Sequence, residues 1–443
     1  MLKKYWAVLL LCVAISLLWS WLFLIDDARL LGSKFVAAAV MIIVFVVIVA
    51  ISVFIFWRTI KYLQKNVKHS KNGWVIVKIF FVWAFAEWLV SWLVAVVWMG
   101  HNGSWDNILP FSSLTPWLMW TPLRFVTRFV GYYGLSSAVV TGIFVISSKN
   151  LRRYGVAYGV VVLLLTTASW GLYARPNGQE IKATIVAEWL GYPTKVVTND
   201  SKLVVVPEYG LDRYTTKNIS TRFDTDKKVY FVGSRQTSNP HGFTNTLVFG
   251  SNQQGFIREQ QKSRLIPGGE YLSLPVEIML RVYSPNTYTD FQVRRAVIKG
   301  SGKGEPFVIN DGLILGSAAC SSIIAPEDYR QLTNQGATLL TNSSSLEIFR
   351  GSRLFNWQHR GLAKFMAVAN ARPFLQSSHN WPAFALDHNG QQLAEIQPVN
   401  SKQVTVTTNN RKTPYTVLGE WPVVIGAVWL GYDLMQRYKK RKT

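Results

Sequence analysis

Charged residues are scarce in this sequence of 443 residues. Asp, Glu, Lys and Arg make up 16% of it, whereas about a quarter is typical of soluble globular chains. Acidic residues are the fewest, 24 against 47 basic ones, which gives a formal net charge of +23. Apolar residues make up 49% of the chain, and 18 residues are Trp. This composition excludes a disordered chain, argues against a purely cytosolic enzyme and predicts a membrane protein.

Cysteine is almost absent, because the chain has only Cys12 and Cys320. Two cysteines exclude a disulfide scaffold. The six histidines show no His-x-x-x-His spacing and there is no Cys-x-x-Cys pair, so we expect no metal site and no cofactor. His359 and His379 are interpreted as core or surface residues, with a supporting role beside a site as the alternative.

Five apolar stretches before residue 175 are long enough to form helices across a hydrocarbon core of about 30 Å. A sixth, shorter stretch begins at Trp421 and ends near Met435. The first resembles a secretion signal, but its apolar segment is too long and no small-residue cleavage site follows it, so we predict a retained helix. The five stretches are Tyr5–Ile25, Phe35–Trp57, Trp74–Trp98, Phe129–Ser147 and Tyr154–Ala174.

Clusters of Lys and Arg indicate the orientation of these helices. They precede the first stretch, join the second to the third and the fourth to the fifth, and follow the sixth. All four clusters lie on one side if the N-terminus is cytoplasmic, as the positive-inside bias requires. The sequence therefore predicts a helical bundle in the cell membrane (1–175), an extracytoplasmic domain (176–418), and a final span with a cytoplasmic tail (419–443). Topology then explains much of the positive charge, and nucleic acid is not an expected partner.

Two features of the predicted bundle allow two interpretations each. Glu87, midway along the third apolar stretch, is costly in lipid and so indicates either a functional group or a carboxyl that hydrogen-bonds a neighbouring helix. Trp117 and Trp120 lie in an apolar loop on the outer side. They are typical of an interfacial aromatic belt, and the alternative is a partly embedded platform at the opening of a site, within Leu114–Val130.

The segment 176–418 is long enough for a single α/β core. Short β-branched runs alternate there with the helical patterns Glu327–Gln335 and Asn356–Asn370, which favours a layered α/β sandwich. One self-contained domain also predicts a monomer. The predicted strands are Leu203–Val206, Val229–Val232, Asn245–Phe249, Phe307–Ile309, Leu313–Leu315, Ala337–Thr341, Phe374–Ser377, Ala383–Asp387 and Gln403–Thr407.

Three separated stretches carry residues suited to one active site. The first, Leu203-Val-Val-Val-Pro-Glu208, is an apolar strand that ends in a carboxylate. The second places Lys262 and Glu270 on either side of a Pro-Gly-Gly turn. The third is a strand followed by small residues and Cys320. From spacing alone, Cys320 is as readily a buried apolar residue, and Glu208 with Lys262 a surface ion pair.

Taken together, these stretches resemble the nitrilase (carbon–nitrogen hydrolase) superfamily, whose signature is a Glu–Lys–Cys triad. Spans on both sides of the domain are similar to its apolipoprotein N-acyltransferase branch. Further segments look like that branch in the same order: Gly131-Tyr-Tyr-Gly, Leu265-Ile-Pro-Gly-Gly-Glu270, Trp357-Gln-His359, Ala371-Arg-Pro373, Thr413-Pro-Tyr415 and Glu420-Trp-Pro422.

The resemblance implies an α-helical transmembrane bundle with an extracytoplasmic αββα sandwich, in which Glu208, Lys262 and Cys320 form the triad and Glu270 is a supporting acid. It implies acyl transfer from a membrane phospholipid, through a Cys320 thioester, to the N-terminal amine of a diacylglyceryl apolipoprotein. Ser321 and Ser322 stand where the family has an aromatic residue and a glutamate. A hydrolase that uses water as acceptor, and a non-catalytic homologue, therefore remain alternatives.

Overall fold

Four helices in the described part of the chain are long and apolar enough to cross a membrane: Phe35–Lys68, Trp74–Trp98, Pro122–Ser147 and Arg152–Leu172. They coincide with the second to fifth predicted stretches. The computed structural model describes residues 30–69, 72–99, 113–189, 191, 196, 198, 200–240, 242–266, 270–294, 296–300, 304–310, 312–346 and 352–442. The predicted first span and Cys12 lie outside these residues.

The described helices are numbered here in chain order. The last of them, α11, forms where the sixth span was predicted, but it is not among the four helices above; its crossing of the membrane stays a prediction. The helices are α1 Lys34–His69, α2 Trp74–Met99, α3 Thr115–Leu118, α4 Thr127–Ser147, α5 Gly155–Leu172, α6 Leu274–Tyr283, α7 Pro285–Arg294, α8 Pro326–Asn334, α9 Arg353–Ala369, α10 Pro414–Leu418 and α11 Trp421–Lys442.

Two buried carboxylates, Glu87 and Glu420, accept hydrogen bonds within the bundle. Glu87 of α2 is 1% exposed and accepts hydrogen bonds from the Ser136 hydroxyl of α4 and the Trp83 indole, the latter at 3.1 Å. These bonds agree with the structural interpretation of Glu87, because a buried carboxyl needs such donors. At Gly131, where φ is 73°, α4 is interrupted, and the freed amides of Tyr132 and Tyr133 donate to the Glu420 carboxylate at 2.7 and 3.2 Å.

In the described part of the chain, twelve strands form one connected sheet that separates into two layers. Strand β1 pairs with β12 along its whole length but with β9 only at Ala187 and Glu188, so the layers meet at this point. One layer has the order β5-β4-β3-β2-β1-β12, and the other contains β6-β7-β8-β9-β10-β11. The strands are β1 Glu180–Glu188, β2 Leu203–Val205, β3 Tyr230–Asn239, β4 Gly242–Ser251, β5 Gly255–Gln261, β6 Phe307–Asn310, β7 Leu313–Ala319, β8 Leu339–Ser345, β9 Phe374–His379, β10 Ala383–Leu386, β11 Gln392–Ile396 and β12 Asn400–Thr407.

Alternation of side chains builds three apolar layers from these strands. Leu203 and Val205 of β2 point between the two layers, where they share a core with Leu339 and Leu375. Val204 points the other way, into a second core that also contains Ile219. The outer face of the second layer packs against α8 and α9. The predicted αββα sandwich is therefore confirmed as the fold of this domain.

The domain docks on the helical region through α9. Trp357 of α9 contacts Trp117 of α3 and Trp120, which follows α3: its ring centroid lies 3.8 Å from that of Trp117 and 5.7 Å from that of Trp120. One turn further along α9, Gly361 lies against the backbone of Pro116. The two tryptophans thus fix the domain to the helices, a role that neither sequence interpretation of this loop had given them.

We expect Gly361→Ala to weaken this docking. In an open helical position Gly→Ala stabilises by about 1 kcal/mol, but here the new Cβ would lie 2.4 Å from the Pro116 carbonyl oxygen. Overpacking of this kind costs about 1–3 kcal/mol. Thermal unfolding of the full chain in detergent measures the effect, with Gly159→Ala as the control, because nothing lies within 4 Å of that position. Equal or higher stability of Gly361→Ala would contradict the contact.

Candidate active site

The predicted site residues follow strands that end at one edge of the sheet. Strands β7, β8, β9, β1 and β2 are parallel neighbours in that order, so their carboxyl ends share an edge. Glu208 lies three residues after β2, Cys320 directly follows β7, and Ser345 ends β8. The parallel register therefore brings together residues that are more than 100 positions apart in the chain.

Cys320 occupies a sharp bend between a strand and a helical turn. It begins the 3₁₀ helix Cys320–Ile324 and has φ 38°, in the left-handed region that non-glycine residues seldom adopt. Strain of this kind is frequent where a side chain must be held in one direction. Cys320 is 5% exposed, and its thiol donates to the carbonyl oxygen of Ser345 at 3.4 Å.

Lys262 lies between the two predicted carboxylates and is 3% exposed. Its Nζ donates to Glu208 Oε1 at 2.9 Å and to Glu270 Oε1 at 2.8 Å. The Pro-Gly-Gly turn expected between Lys262 and Glu270 lies outside the described residues. The structure brings Glu208, Lys262, Glu270 and Cys320 together, and the surface ion pair considered from the sequence is wrong. Their catalytic roles stay a prediction.

Neutral donors that sequence reasoning missed complete the site. Asn245 of β4 donates through Nδ2 to Glu208 Oε1 at 2.7 Å and to Glu270 Oε1 at 3.2 Å. The backbone amide of Ser345 donates to Glu208 Oε2 at 3.1 Å, and that of Ile266 to Glu270 Oε2 at 2.9 Å. All four carboxylate oxygens are thus bound by donors, which holds both groups in fixed positions. The available signal for Asn245 was an amide at the start of the predicted strand Asn245–Phe249.

The electrostatics favour a protonated thiol at rest. Burial raises the pKa of the Cys320 thiol well above its ordinary value, and the Glu208 charge raises it further, while Lys262 lowers it. Burial alone would lower the pKa of Lys262, but Glu208 and Glu270 outweigh it, so that pKa is raised and the ammonium persists. Burial also raises the pKa of Glu270, against the effect of Lys262. A thiol that attacks from this site would have to lose its proton, and Glu208 is a carboxylate whose charge acts on it.

Both serines after Cys320 are buried, and Ser321 has a structural partner. The Ser321 hydroxyl donates to the carbonyl oxygen of Arg264, two residues after the central lysine, and Ser322 is also buried. Arg264 in turn forms a bidentate pair with Asp328 of α8, its Nε and Nη2 donating over 2.6–3.0 Å. These contacts connect the cysteine segment to the lysine segment.

The two histidines singled out from the sequence are buried. Burial lowers the pKa of His359 to about 3 and that of His379 to about 4, so both are neutral near pH 7. His359 packs in the domain core against Phe355. His379 ends β9 at the same edge as the site and lines a cavity of about 460 Å³ together with Tyr209. The core interpretation therefore applies to His359. The position of His379 at the edge that carries the site agrees better with the alternative, a supporting role beside the site.

The sheet domain matches a known protein family. The family model described as carbon-nitrogen hydrolase matches residues 178–411, more than half of the chain. The chain belongs to the carbon–nitrogen hydrolase family. Within this family it is similar to the apolipoprotein N-acyltransferase of Photobacterium profundum, at 23% identity over 79% of this chain and 70% of that protein. The apolipoprotein N-acyltransferase of Vibrio vulnificus is 22% identical over 82% of this chain and 74% of its own length.

Solved structures of the same superfamily are similar to the domain. A mutant of a nitrilase-superfamily amidase from Nesterenkonia matches with a TM-score of 0.38 and 14% identity, over 55% of this chain and 94% of that one. A carbon–nitrogen hydrolase from Helicobacter pylori matches with a TM-score of 0.37 and 16% identity, over 52% of this chain and 89% of its own.

Proposed function

We propose that this membrane protein is an N-acyltransferase. It would transfer an acyl chain from a membrane phospholipid to the N-terminal amine of a diacylglyceryl-cysteine apolipoprotein. The observation that carries the proposal is the Cys320 thiol held beside Glu208 and Lys262 in a chain that has apolar helices. The curated relatives supply the substrate class, because they are named apolipoprotein N-acyltransferase.

In the first half-reaction Cys320 Sγ attacks the carbonyl carbon of the phospholipid ester while Glu208 accepts the thiol proton. The carbonyl oxygen becomes an oxyanion. Lysine has three N–H donors, and two of those on Lys262 are bound by Glu208 and Glu270, so the third is available to this oxyanion. The ester C–O bond then breaks, the lysophospholipid oxygen takes the proton from Glu208, and a thioester remains on Cys320.

In the second half-reaction the amine of the apolipoprotein attacks the thioester carbonyl. Glu208 accepts a proton from the amine, the C–S bond breaks, and Cys320 recovers a proton as the amide forms. Water is the competing acceptor throughout. The burial of all four side chains, each 5% exposed or less, limits its access to the thioester.

Two lipid substrates explain why the domain is attached to membrane helices. We propose that the domain lies on the extracytoplasmic side of the cell membrane and that α11 returns the chain to the cytoplasm. The distribution of Lys and Arg clusters supports this orientation. We further propose that the protein acts as a monomer, because the four groups of the site come from one chain.

Covalent trapping tests the proposal. Detergent-solubilised protein is incubated with an alkyne-tagged phospholipid, and a hydroxylamine-sensitive acyl adduct is expected on Cys320. A synthetic diacylglyceryl-cysteine peptide should then remove the label and carry it as an amide. Cys320→Ala should give no adduct. The control is Lys227→Gln, which changes an exposed residue and keeps Cys320, and it should label fully.

The outcomes separate the alternatives. Labelling of Cys320→Ala would place the nucleophile elsewhere. A Cys320 adduct that passes to water and never to the peptide would indicate a hydrolase. Absence of an adduct on folded wild-type protein would indicate a non-catalytic homologue.

A further inference from the structure

A cavity of about 410 Å³ opens between α1, α2 and α11, and none of its lining residues belongs to the catalytic domain. Four basic side chains line one part of it: Arg58, Lys61, Lys65 and Arg437. Apolar side chains such as Phe85, Leu89 and Leu430 line the rest. We call this cavity the basic groove. Its volume falls within the range of about 300–1,000 Å³ that is usual for small-molecule sites.

Three of the four cations of the basic groove are available to a ligand. Arg58, Lys61 and Lys65 are spaced at i, i+3 and i+7 along α1, so they project from one face of that helix. All three are exposed, and within the described residues none of them has a carboxylate within ion-pair distance. Lys61 Nζ lies 3.6 Å from the Trp57 ring centroid, which orients the ammonium without neutralising it.

The Asp433 carboxylate on α11 is already paired. Asp433 of α11 accepts hydrogen bonds from the Lys78 ammonium and the Tyr62 hydroxyl, so α1, α2 and α11 are joined below the groove. Arg437, one turn beyond Asp433, stands over the Tyr62 ring at 5.1 Å. The basic groove therefore keeps an excess of positive charge. The contacts among Asp433, Lys78 and Tyr62 hold these side chains in place.

The apolar wall decides which anion fits. Lys and Arg near the cytoplasmic ends of spans are expected from topology alone, but topology does not require a cavity that continues from the cations onto Phe85 and Leu89. Inorganic phosphate would bind the basic side chains but leave the apolar wall exposed to water. The acyl chain of a lipid would cover this wall. Basic pockets between transmembrane helices on the cytoplasmic side are suited to anionic lipid headgroups.

We propose that the basic groove binds an anionic phospholipid of the cytoplasmic leaflet, with its phosphate on Arg58, Lys61 and Arg437 and an acyl chain along the Phe85 wall. In the proposed topology this leaflet is opposite to the one that supplies the acyl donor. The bound lipid is a structural ligand of the bundle and is not consumed by Cys320.

Native mass spectrometry of the full-length protein in mild detergent tests this site. The protein carries Cys320→Ala, so that acyl transfer cannot deplete the lipid. Dioleoyl phosphatidylglycerol, dioleoyl phosphatidylcholine and inorganic phosphate are titrated in turn. The test variant is R58Q/K61Q, and the matched control is K149Q/R153Q, which removes two exposed charges from another basic loop. A third variant, R58K/K61R, keeps the charge.

Phosphatidylglycerol should bind more tightly than phosphatidylcholine, and R58Q/K61Q should weaken it by about 25-fold, since each basic residue near a lipid surface contributes roughly a five-fold effect. K149Q/R153Q and R58K/K61R should each stay within about two-fold of the parent. The proposal is overturned if the control loses as much affinity as the test variant, or if phosphatidylcholine binds equally well. Displacement of the lipid by inorganic phosphate alone would indicate an anion site without an acyl-chain component.

Discussion

Lys262→Met is expected to lower the stability of the domain and to abolish acyl-adduct formation together. In the native site the oxygens of Glu208 and Glu270 lie 2.9 and 2.8 Å from Lys262 Nζ. The substitution removes this ammonium and leaves both carboxylates buried around a neutral side chain. Removal of one partner of a buried ion pair costs about 3–5 kcal/mol, because the remaining charge has no compensation. Thermal unfolding should show a midpoint lowered by about 10 °C.

The pH dependence of the stability of Lys262→Met distinguishes uncompensated carboxylates from a simple packing defect. Burial already raises the pKa of Glu270 while Lys262 is present, and removal of the ammonium raises it further. The folded variant then binds protons more tightly than the unfolded chain, so its stability rises as the pH falls. The deficit of Lys262→Met should therefore shrink between pH 8 and pH 5.

Lys227→Met is the matched control, because Lys227 forms an exposed ion pair with Asp200. It should change neither the unfolding midpoint nor adduct formation measurably. A deficit in Lys262→Met that is constant with pH would contradict the uncompensated carboxylates.

The architecture of the domain could be predicted well where strands are short and continuously apolar. Leu203–Val206 was predicted and β2 is Leu203–Val205, since a strand buried on both faces has an unbroken β-branched run. Strand β1, Glu180–Glu188, was missed although it is central, because Glu and Lys interrupt its apolar pattern at both ends. Strands β5 and β11 and helices α6 and α7 were also missed; α6 exposes Ile278, Val282 and Tyr283 to solvent, so its apolar residues do not mark a single buried face.

Some groups of the candidate site could be predicted from the sequence, and others could not. Reactive side chains can be found from their chemistry and from family resemblance, as Glu208, Lys262, Glu270 and Cys320 were. The backbone amide of Ser345 carries no side-chain signal, and its position depends on the register of β8 beside β7 and β9. Asn245 contributes through a pairing of β4 that places its amide between two carboxylates. Long-range register, which no local pattern encodes, positions these groups.

Glu208→Gln is expected to lower the rate of adduct formation by about 100- to 10,000-fold near pH 7, the usual contribution of a general base. The raised pKa of the Cys320 thiol makes this loss large, because burial, its first cause, persists in the variant and little thiolate forms without a base. Below that pKa the thiolate fraction grows tenfold with each pH unit, so the variant's rate should rise steeply between pH 7 and pH 9. The wild-type rate should change far less over the same interval.

Single-turnover labelling with the alkyne phospholipid measures both profiles, and thermal unfolding shows whether the variant keeps its fold. Glu259→Gln is the control, since Glu259 forms a half-exposed pair with Arg235 outside the site. A Glu208→Gln profile that runs parallel to the wild-type profile would mean that Glu208 only positions Lys262 and Ser345. A steeper profile in the variant alone follows only if Glu208 is the group that takes the proton from Cys320.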